Sequence, residues 1–448
     1  MASTAQSFDR RLPSLLTTCA SPFRFLLRQT RRRPFVRLII VMIPLLIPTY
    51  LLLILHLPRP TTPTKTPLLA LNFPDPCIIQ DNPSGTWYAF ATGGWTPNTT
   101  NTTTSDTNDT ATTSTESTYK NIQAASAAHP SGPWTYLPSA DPLPSPGPWT
   151  ADTGSQTWAP SILQLTTTTN TTNTTSNATY ILYYAAQLPS SSSNTSSNTS
   201  TSTSAPAGLH CIGAATATHS ILGPYTPLPS PLICPRDRGG AIDPAVFRDP
   251  AATTTTNNNS NNNGVVAGGV GGGGRVYLLY KVDGNALGGG GECNNGVAPQ
   301  RSTPIVLQEV DGADGVGLVG EGVEVLDRDG AGGDGPLVEA PDLAWVAGDG
   351  EGDGDGDGGR YVLFYSNHCW DGPGYSVRYA VAEGNISGPY VRAEGALIQT
   401  GDGFNVTAPG GAASVPGGGW MLFHGDCPEG RCLFGAEMAV TGTTVTVS

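Results

Sequence analysis

The stretch Gly240-Ala241-Ile242-Asp243-Pro244-Ala245-Val246-Phe247 is a short apolar run that holds one carboxylate, with proline directly after it. Similar runs lie on either side: Phe73-Pro74-Asp75-Pro76-Cys77-Ile78-Ile79, Trp158-Ala159-Pro160-Ser161-Ile162-Leu163, Val338-Glu339-Ala340-Pro341-Asp342-Leu343 and Gly411-Ala412-Ala413-Ser414-Val415. Each is followed by a turn-rich gap and an aromatic or aliphatic strand, such as Tyr180-Ile181-Leu182-Tyr183-Tyr184 or Tyr361-Val362-Leu363-Phe364-Tyr365. The pattern therefore repeats five times, and three members carry an acid near the start.

Short strands between Gly/Pro turns, repeating at this spacing, are too far apart for a leucine-rich or helical array. They suit four-stranded blades arranged radially. A Gly-Pro-aromatic turn recurs late in three repeats, as Gly132-Pro133-Trp134, Gly223-Pro224-Tyr225 and Gly388-Pro389-Tyr390. Low-complexity tracts rich in Thr, Ser, Asn, Gly or Asp (96–118, 166–179, 190–204, 253–274, 348–359) fall between strands, where a loop lengthens at little cost. The expected fold is all-β, a five-bladed propeller over 72–448, with a two-sheet sandwich as the main alternative.

Ahead of it, residues 1–37 hold eight arginines against the single acid Asp9, and read as a basic cytoplasmic tail. Residues 38–57 are mostly apolar and long enough to cross a bilayer, so they read as a single transmembrane anchor. A cleaved secretory signal is the rival. Residues 58–71, rich in Pro and Thr, read as a stalk. This arrangement implies a single-pass type II protein whose catalytic body is lumenal or extracellular, or secreted if the segment is cleaved. Asn-x-Ser/Thr acceptors, beginning with Asn98 and ending with Asn405, agree with a glycoprotein.

The net charge is −13. Because the N-terminal tail is basic, the body is more acidic still, which argues against nucleic acid and fits a neutral polymer. Of eight cysteines, Cys19 falls on the tail. The remaining seven show no metal-ligand spacing, and at least one is left over. Cys427 with Cys432, and Cys211 with Cys234, are candidate pairs that spacing alone does not establish.

An acid at the start of a propeller's innermost strand points into the shared central cavity. Asp75, Asp243 and Glu339, from blades one, three and four, are expected to converge there. Paired carboxyls with opposed protonation states are what glycoside hydrolysis needs, and a third nearby acid raises the pKa of the donor. Asn72-Phe73-Pro74-Asp75-Pro76, Ala241-Ile242-Asp243-Pro244-Ala245-Val246-Phe247 and Glu339-Ala340-Pro341-Asp342-Leu343, in that order on a five-fold repeat, resemble glycoside hydrolase family 43. That family comprises five-bladed α-L-arabinofuranosidases, β-xylosidases and endo-arabinanases.

The resemblance implies an inverting mechanism with Asp75 as general base, Glu339 as general acid and Asp243 as the residue that orients the acid and raises its pKa. It also implies an arabinose- or xylose-containing polysaccharide or oligosaccharide as partner, a monomer, and no required cofactor. Trp158, Trp95 and Arg378 are candidate substrate-binding residues. Asp342, three residues after Glu339, is expected on the opposite strand face in a structural role. Where many family members have a histidine near the channel centre, this chain reads Ala408-Pro409-Gly410-Gly411-Ala412-Ala413-Ser414, which puts a central calcium in doubt. His424 reads as a satisfied strand-end residue.

Two rivals remain. One is a catalytically inactive carbohydrate-binding propeller at the membrane. The other is a retaining relative acting on fructosides, for which Arg248-Asp249-Pro250 lies too late in its strand.

Overall fold

The computed structural model describes residues 65–97, 117–151, 157–165, 178–189, 208–251, 274–348 and 359–448. They form five antiparallel sheets, each a meander in sequence order. Blade one holds β1 (Cys77–Gln80), β2 (Trp87–Pro97), β3 (Ser117–Ala127) and β4 (Thr135–Tyr136). Blade two holds β5 (Thr157–Leu165), β6 (Thr179–Gln187), β7 (His210–Thr218) and β8 (Thr226–Pro227). Blade three holds β9 (Ala241–Arg248), β10 (Val276–Val282), β11 (Ile305–Val310) and β12 (Leu318–Leu326). Blade four holds β13 (Val338–Val346), β14 (Arg360–Asn367), β15 (Ser376–Glu383) and β16 (Val391–Arg392), with β17 (Ile398–Gln399) also paired to β15. Blade five holds β18 (Thr407–Ser414), β19 (Trp420–Cys427), β20 (Gly430–Thr441) and β21 (Thr444–Val447). The first strand of each blade lies innermost and touches the first strand of the next, and β18 meets β1 to close the ring.

The second strand explains the unbroken apolar runs. It is covered by a neighbouring blade on both faces, so alternation of side chains feeds two cores at once. On β10, Val276, Leu278, Tyr280 and Val282 pack against blade two, while Tyr277 and Leu279 pack against blade four. The five main apolar clusters are the five blade-to-blade interfaces. Each fully buried Leu, Val or Phe there contributes about 1.5–3 kcal/mol.

The three Gly-Pro-aromatic turns each lead from a blade's third strand to its short fourth, and each has a cis peptide bond. Residues 65–73 fasten the ring seam. The Leu68 N–H donates to the Leu433 carbonyl at 2.7 Å and the Phe73 N–H to that of Arg431 at 2.8 Å. Disulfides join Cys211 to Cys234, Cys427 to Cys432 and Cys293 to Cys369, leaving Cys77 free among the described residues. The third of these bridges loops of blades three and four across 76 residues of sequence.

Among the described residues, no helix is long and apolar enough to cross a membrane. That corrects the fold class, which loses its preceding transmembrane helix. With the helix go the membrane contact through 38–57 and the single-pass type II placement. The segment 38–57 itself lies outside the described residues, so its hydropathy and its basic flank are the grounds on which those expectations stood. Residues 1–37, half of 58–71 and most of the five low-complexity tracts lie outside them as well. Of the glycan acceptors, Asn385 and Asn405 are described, and both are exposed.

Candidate active site

Each innermost strand carries one residue in the left-handed region immediately before a proline: Asp75 (φ 53°), Ala159 (φ 45°), Asp243 (φ 56°), Ala340 (φ 49°) and Ala408 (φ 47°). Proline has no N–H for the ladder, and its ring keeps the preceding residue out of the right-handed helical region. The strand pairing therefore slips by a residue at this point in blades two to five, and in blade one the strand begins just after it. A bulge of this kind re-aims the side chain it carries. A left-handed non-glycine residue costs about 1–2 kcal/mol. Alanine takes that conformation in three of the five blades, so the strain belongs to the scaffold and not to the acids alone.

The five-fold frame refines one expectation. Asp75 and Asp243 occupy equivalent positions, but Glu339 stands one residue earlier, beside Ala340, in the place that Trp158 takes in blade two. The three acids still meet at one end of the channel. Asp75 and Asp243 both line its cavity of about 40 Å³, room for a few water molecules. The Ala340 N–H donates to Asp243 Oδ2 at 2.9 Å, which ties Asp243 to the backbone next to Glu339.

The three environments differ. Asp75 accepts hydrogen bonds from Thr92 Oγ1 at 2.6 Å and from an Arg431 guanidinium nitrogen at 3.0 Å. Burial alone would raise its pKa, but Arg431 and these hydrogen bonds outweigh that and hold the carboxyl below its ordinary range. Asp243 goes the other way. Burial first, then the Glu339 charge, push its pKa up to about 8, against the pull of Lys281. The two carboxyls are thus displaced in opposite directions, Asp75 toward its ionised form and Asp243 toward its protonated one.

Glu339 is 7% exposed, and its Oε2 lies 3.0 Å from Lys281 Nζ. Lys281 is fully buried and also pairs with Asp283 at 3.2 Å. Burial works against its charge, but Glu339, Asp283 and Asp243 together more than compensate and raise its pKa.

Beneath Asp75 lies His424, fully buried on β19 and opposite Gly410 in the strand pairing. Its Nδ1 accepts the Asp75 N–H at 3.1 Å, which leaves the ring proton on Nε2, an atom with no hydrogen-bond partner in the structure. Burial, aided by Arg431, lowers its pKa to about 3. The expectation of a satisfied strand-end histidine is therefore wrong. The Tyr375 ring stacks on it with centroids 5.8 Å apart and also faces the acids. Gly410 is required there, since a Cβ would fall 1.9 Å from the Tyr375 ring.

The structure does not bring Arg378 to the carboxylates. Its guanidinium faces Asp334 at 3.9 Å on the third strand of blade four, and the arginine that reaches the acids is Arg431 of blade five. Trp158 stacks on His210 at 3.8 Å beside the pocket-lining Ala159. Trp95 is 68% exposed and rests edge-on against Tyr119, three residues beyond Thr92 on β2. Asp342 lines the channel instead of facing away, because the bulge at Ala340-Pro341 resets the alternation. It accepts the Ser414 N–H at 2.9 Å and so ties blade four to blade five. Asp249 sits past the far end of β9 and accepts the Tyr361 hydroxyl, away from the acids.

Six residues of this end were missed in the sequence: Thr92, Lys281, Tyr375, His424, Arg431 and Trp370. Lys281 had a legible signal, being a lysine directly following the buried run 276–280, since a buried lysine is almost always paired. Trp370 is 49% exposed, with the Arg431 guanidinium over its ring at 4.9 Å. It follows Cys369 of the disulfide that joins blades three and four. The two groups of potential metal ligands among the described residues each contain a disulfide, Cys293–Cys369 with Asp371 and Cys427–Cys432 with Glu429.

No family model matches the chain, and no curated relative does. Among solved structures it is similar to a thermostable family-43 glycoside hydrolase, with TM-score 0.52 and 17% identity over 86% of this chain and 95% of that one. An endo-1,4-β-xylanase from Bacteroides thetaiotaomicron (TM-score 0.49, 16% identity, 86% and 97% covered) and an exo-1,5-α-L-arabinanase from a bovine ruminal metagenomic library (0.47, 17%, 84% and 96%) are also similar. At such identity the first of these speaks for the fold: the chain is a five-bladed β-propeller resembling the family-43 glycoside hydrolases.

Proposed function

We propose that the protein is a glycoside hydrolase that releases arabinofuranosyl or xylosyl units with inversion. The observation that carries this reading is three acids gathered at one channel mouth in unlike surroundings, Asp75 against Arg431 and Thr92, Glu339 against Lys281. Asp75, ionised beside Arg431 and Thr92, is suited to take a proton from the attacking water. Glu339 is suited to protonate the leaving oxygen, and Asp243, tied to the backbone beside it through the Ala340 N–H, is suited to orient that acid. We give no metal a part in these steps. The side chains that hydrogen-bond Asp75 and Glu339 are the Thr92 hydroxyl, the Arg431 guanidinium and the Lys281 ammonium, two cations to one neutral oxygen, whereas calcium is held by six to eight oxygens.

The test is incubation with aryl arabinofuranosides, aryl xylosides and debranched arabinan, reading sugar release and the anomer first formed. Cleavage with inversion, lost in Glu339→Gln, is the expected result. A wild-type protein that cleaves none of them, or that retains configuration, overturns the reading.

Trp370 offers a flat apolar face that is both exposed and tied through Arg431 to Asp75, which suits stacking against a sugar ring. Trp370→Ala is expected to raise KM about three- to tenfold with kcat nearly unchanged. Initial rates across substrate concentration decide it.

A further inference from the structure

Lys281 is the most buried charge at this end of the molecule and has no place in the acid–base scheme above. Its Nζ reaches Glu339 at 3.0 Å and Asp283 at 3.2 Å, and no part of the side chain is exposed. It enters from β10, where Lys281 pairs with Ile242, next to Asp243. A bare buried carboxylate pair would bind protons tightly, because two like charges without water repel strongly. A fixed ammonium on one member changes that. It selects which oxygen faces away from it, and it favours the charged form of the carboxylate it touches.

We infer that Lys281 is a positioning residue that clamps Glu339 through one carboxylate oxygen and sets the local charge against which Glu339 and Asp243 titrate. The other ionisable groups facing this pair are Asp75 across the channel, Asp283 behind the lysine and Tyr375, whose phenol stays neutral. Asp283 competes with Glu339 for the same ammonium, so the clamp is graded between the two acids.

The experiment is a carboxyl ¹³C NMR titration of the full chain, which needs no substrate, paired with the pH profile of kcat/KM. Lys281→Met is expected to move the titration of the pair, and the basic limb of the profile, upward by about 1–3 pH units, since an opposite charge is lost. Lys281→Arg keeps the charge and is expected to return the titration to its wild-type position while lowering kcat through altered geometry. Asp283→Asn is expected to move the titration downward, because the lysine then serves Glu339 and Asp243 alone. A folded Lys281→Met protein with an unmoved titration would reduce Lys281 to packing and overturn the inference. If Lys281→Met does not fold, the direction of the Asp283→Asn shift decides. The kinetic arm rests on the hydrolase reading. Should the wild type cleave nothing, that reading fails while the titration still judges the clamp.

Discussion

Asp75→Asn is expected to lower kcat by about 10²–10⁴-fold on every substrate, whatever the leaving group, while the protein stays folded. The asparagine oxygen can still accept from Thr92 or Arg431, so the geometry around it survives, but it cannot take a proton from water. Glu339→Gln is expected to behave differently. Its loss should be as large on an alkyl glycoside and small on a dinitrophenyl glycoside, whose leaving oxygen needs no proton. A ranking of kcat against leaving-group pKa for the two variants separates base from acid. If Asp75→Asn is the one rescued by a good leaving group, the two roles are exchanged. Arg431→Met supplies a companion result. Arg431 helps hold Asp75 below its ordinary range, so removing it should move the acidic limb of the profile to higher pH.

The second large effect concerns stability toward acid. His424 is neutral and buried, with a folded pKa of about 3 against roughly 6.5 in the unfolded chain. Between those values the unfolded state binds a proton that the native state refuses. Its stabilising share is therefore complete above about pH 6.5 and is lost as the pH falls toward 3, by about 1.4 kcal/mol per unit. Asp243 acts in the opposite sense. Its folded pKa of about 8 lies above its unfolded value, so its share is complete below about pH 4 and is lost as the pH rises toward 8. The two slopes cancel between about pH 4 and 6.5. His424→Asn keeps an acceptor for the Asp75 N–H and removes one slope. It should gain on the wild type by about 3 kcal/mol at pH 4.5 relative to their difference at pH 7. Urea midpoints across that range measure this. A constant difference would show that His424 is already protonated in the native state.

The fold was legible because its cause is local. Five pre-proline positions and five runs buried on both faces leave a pattern that any single blade repeats. The acids were legible for the same reason, as carboxylates inside apolar strands. What supports them was not. Arg431 and His424 reach Asp75 from about 350 residues away in sequence, across the ring seam, and nothing in Gly430-Arg431-Cys432 announces it. Arg378 looked apt because it lies mid-strand, but its guanidinium turns to Asp334 and not to the channel acids. Asp342 was misplaced because simple alternation ignores the bulge that Ala340-Pro341 imposes. Lys281 could have been found by asking what a cation does at the end of a hydrophobic strand.

The recurrence of one backbone geometry in all five blades means that the ring offers interchangeable mounting points, of which evolution has loaded two with aspartate and left three as alanine. Chemistry here is written by side-chain choice on a nearly symmetric frame. An aspartate moved to Ala159 would arrive already facing the channel cavity, so the spacing between proton-carrying groups could be redesigned without redrawing a single loop.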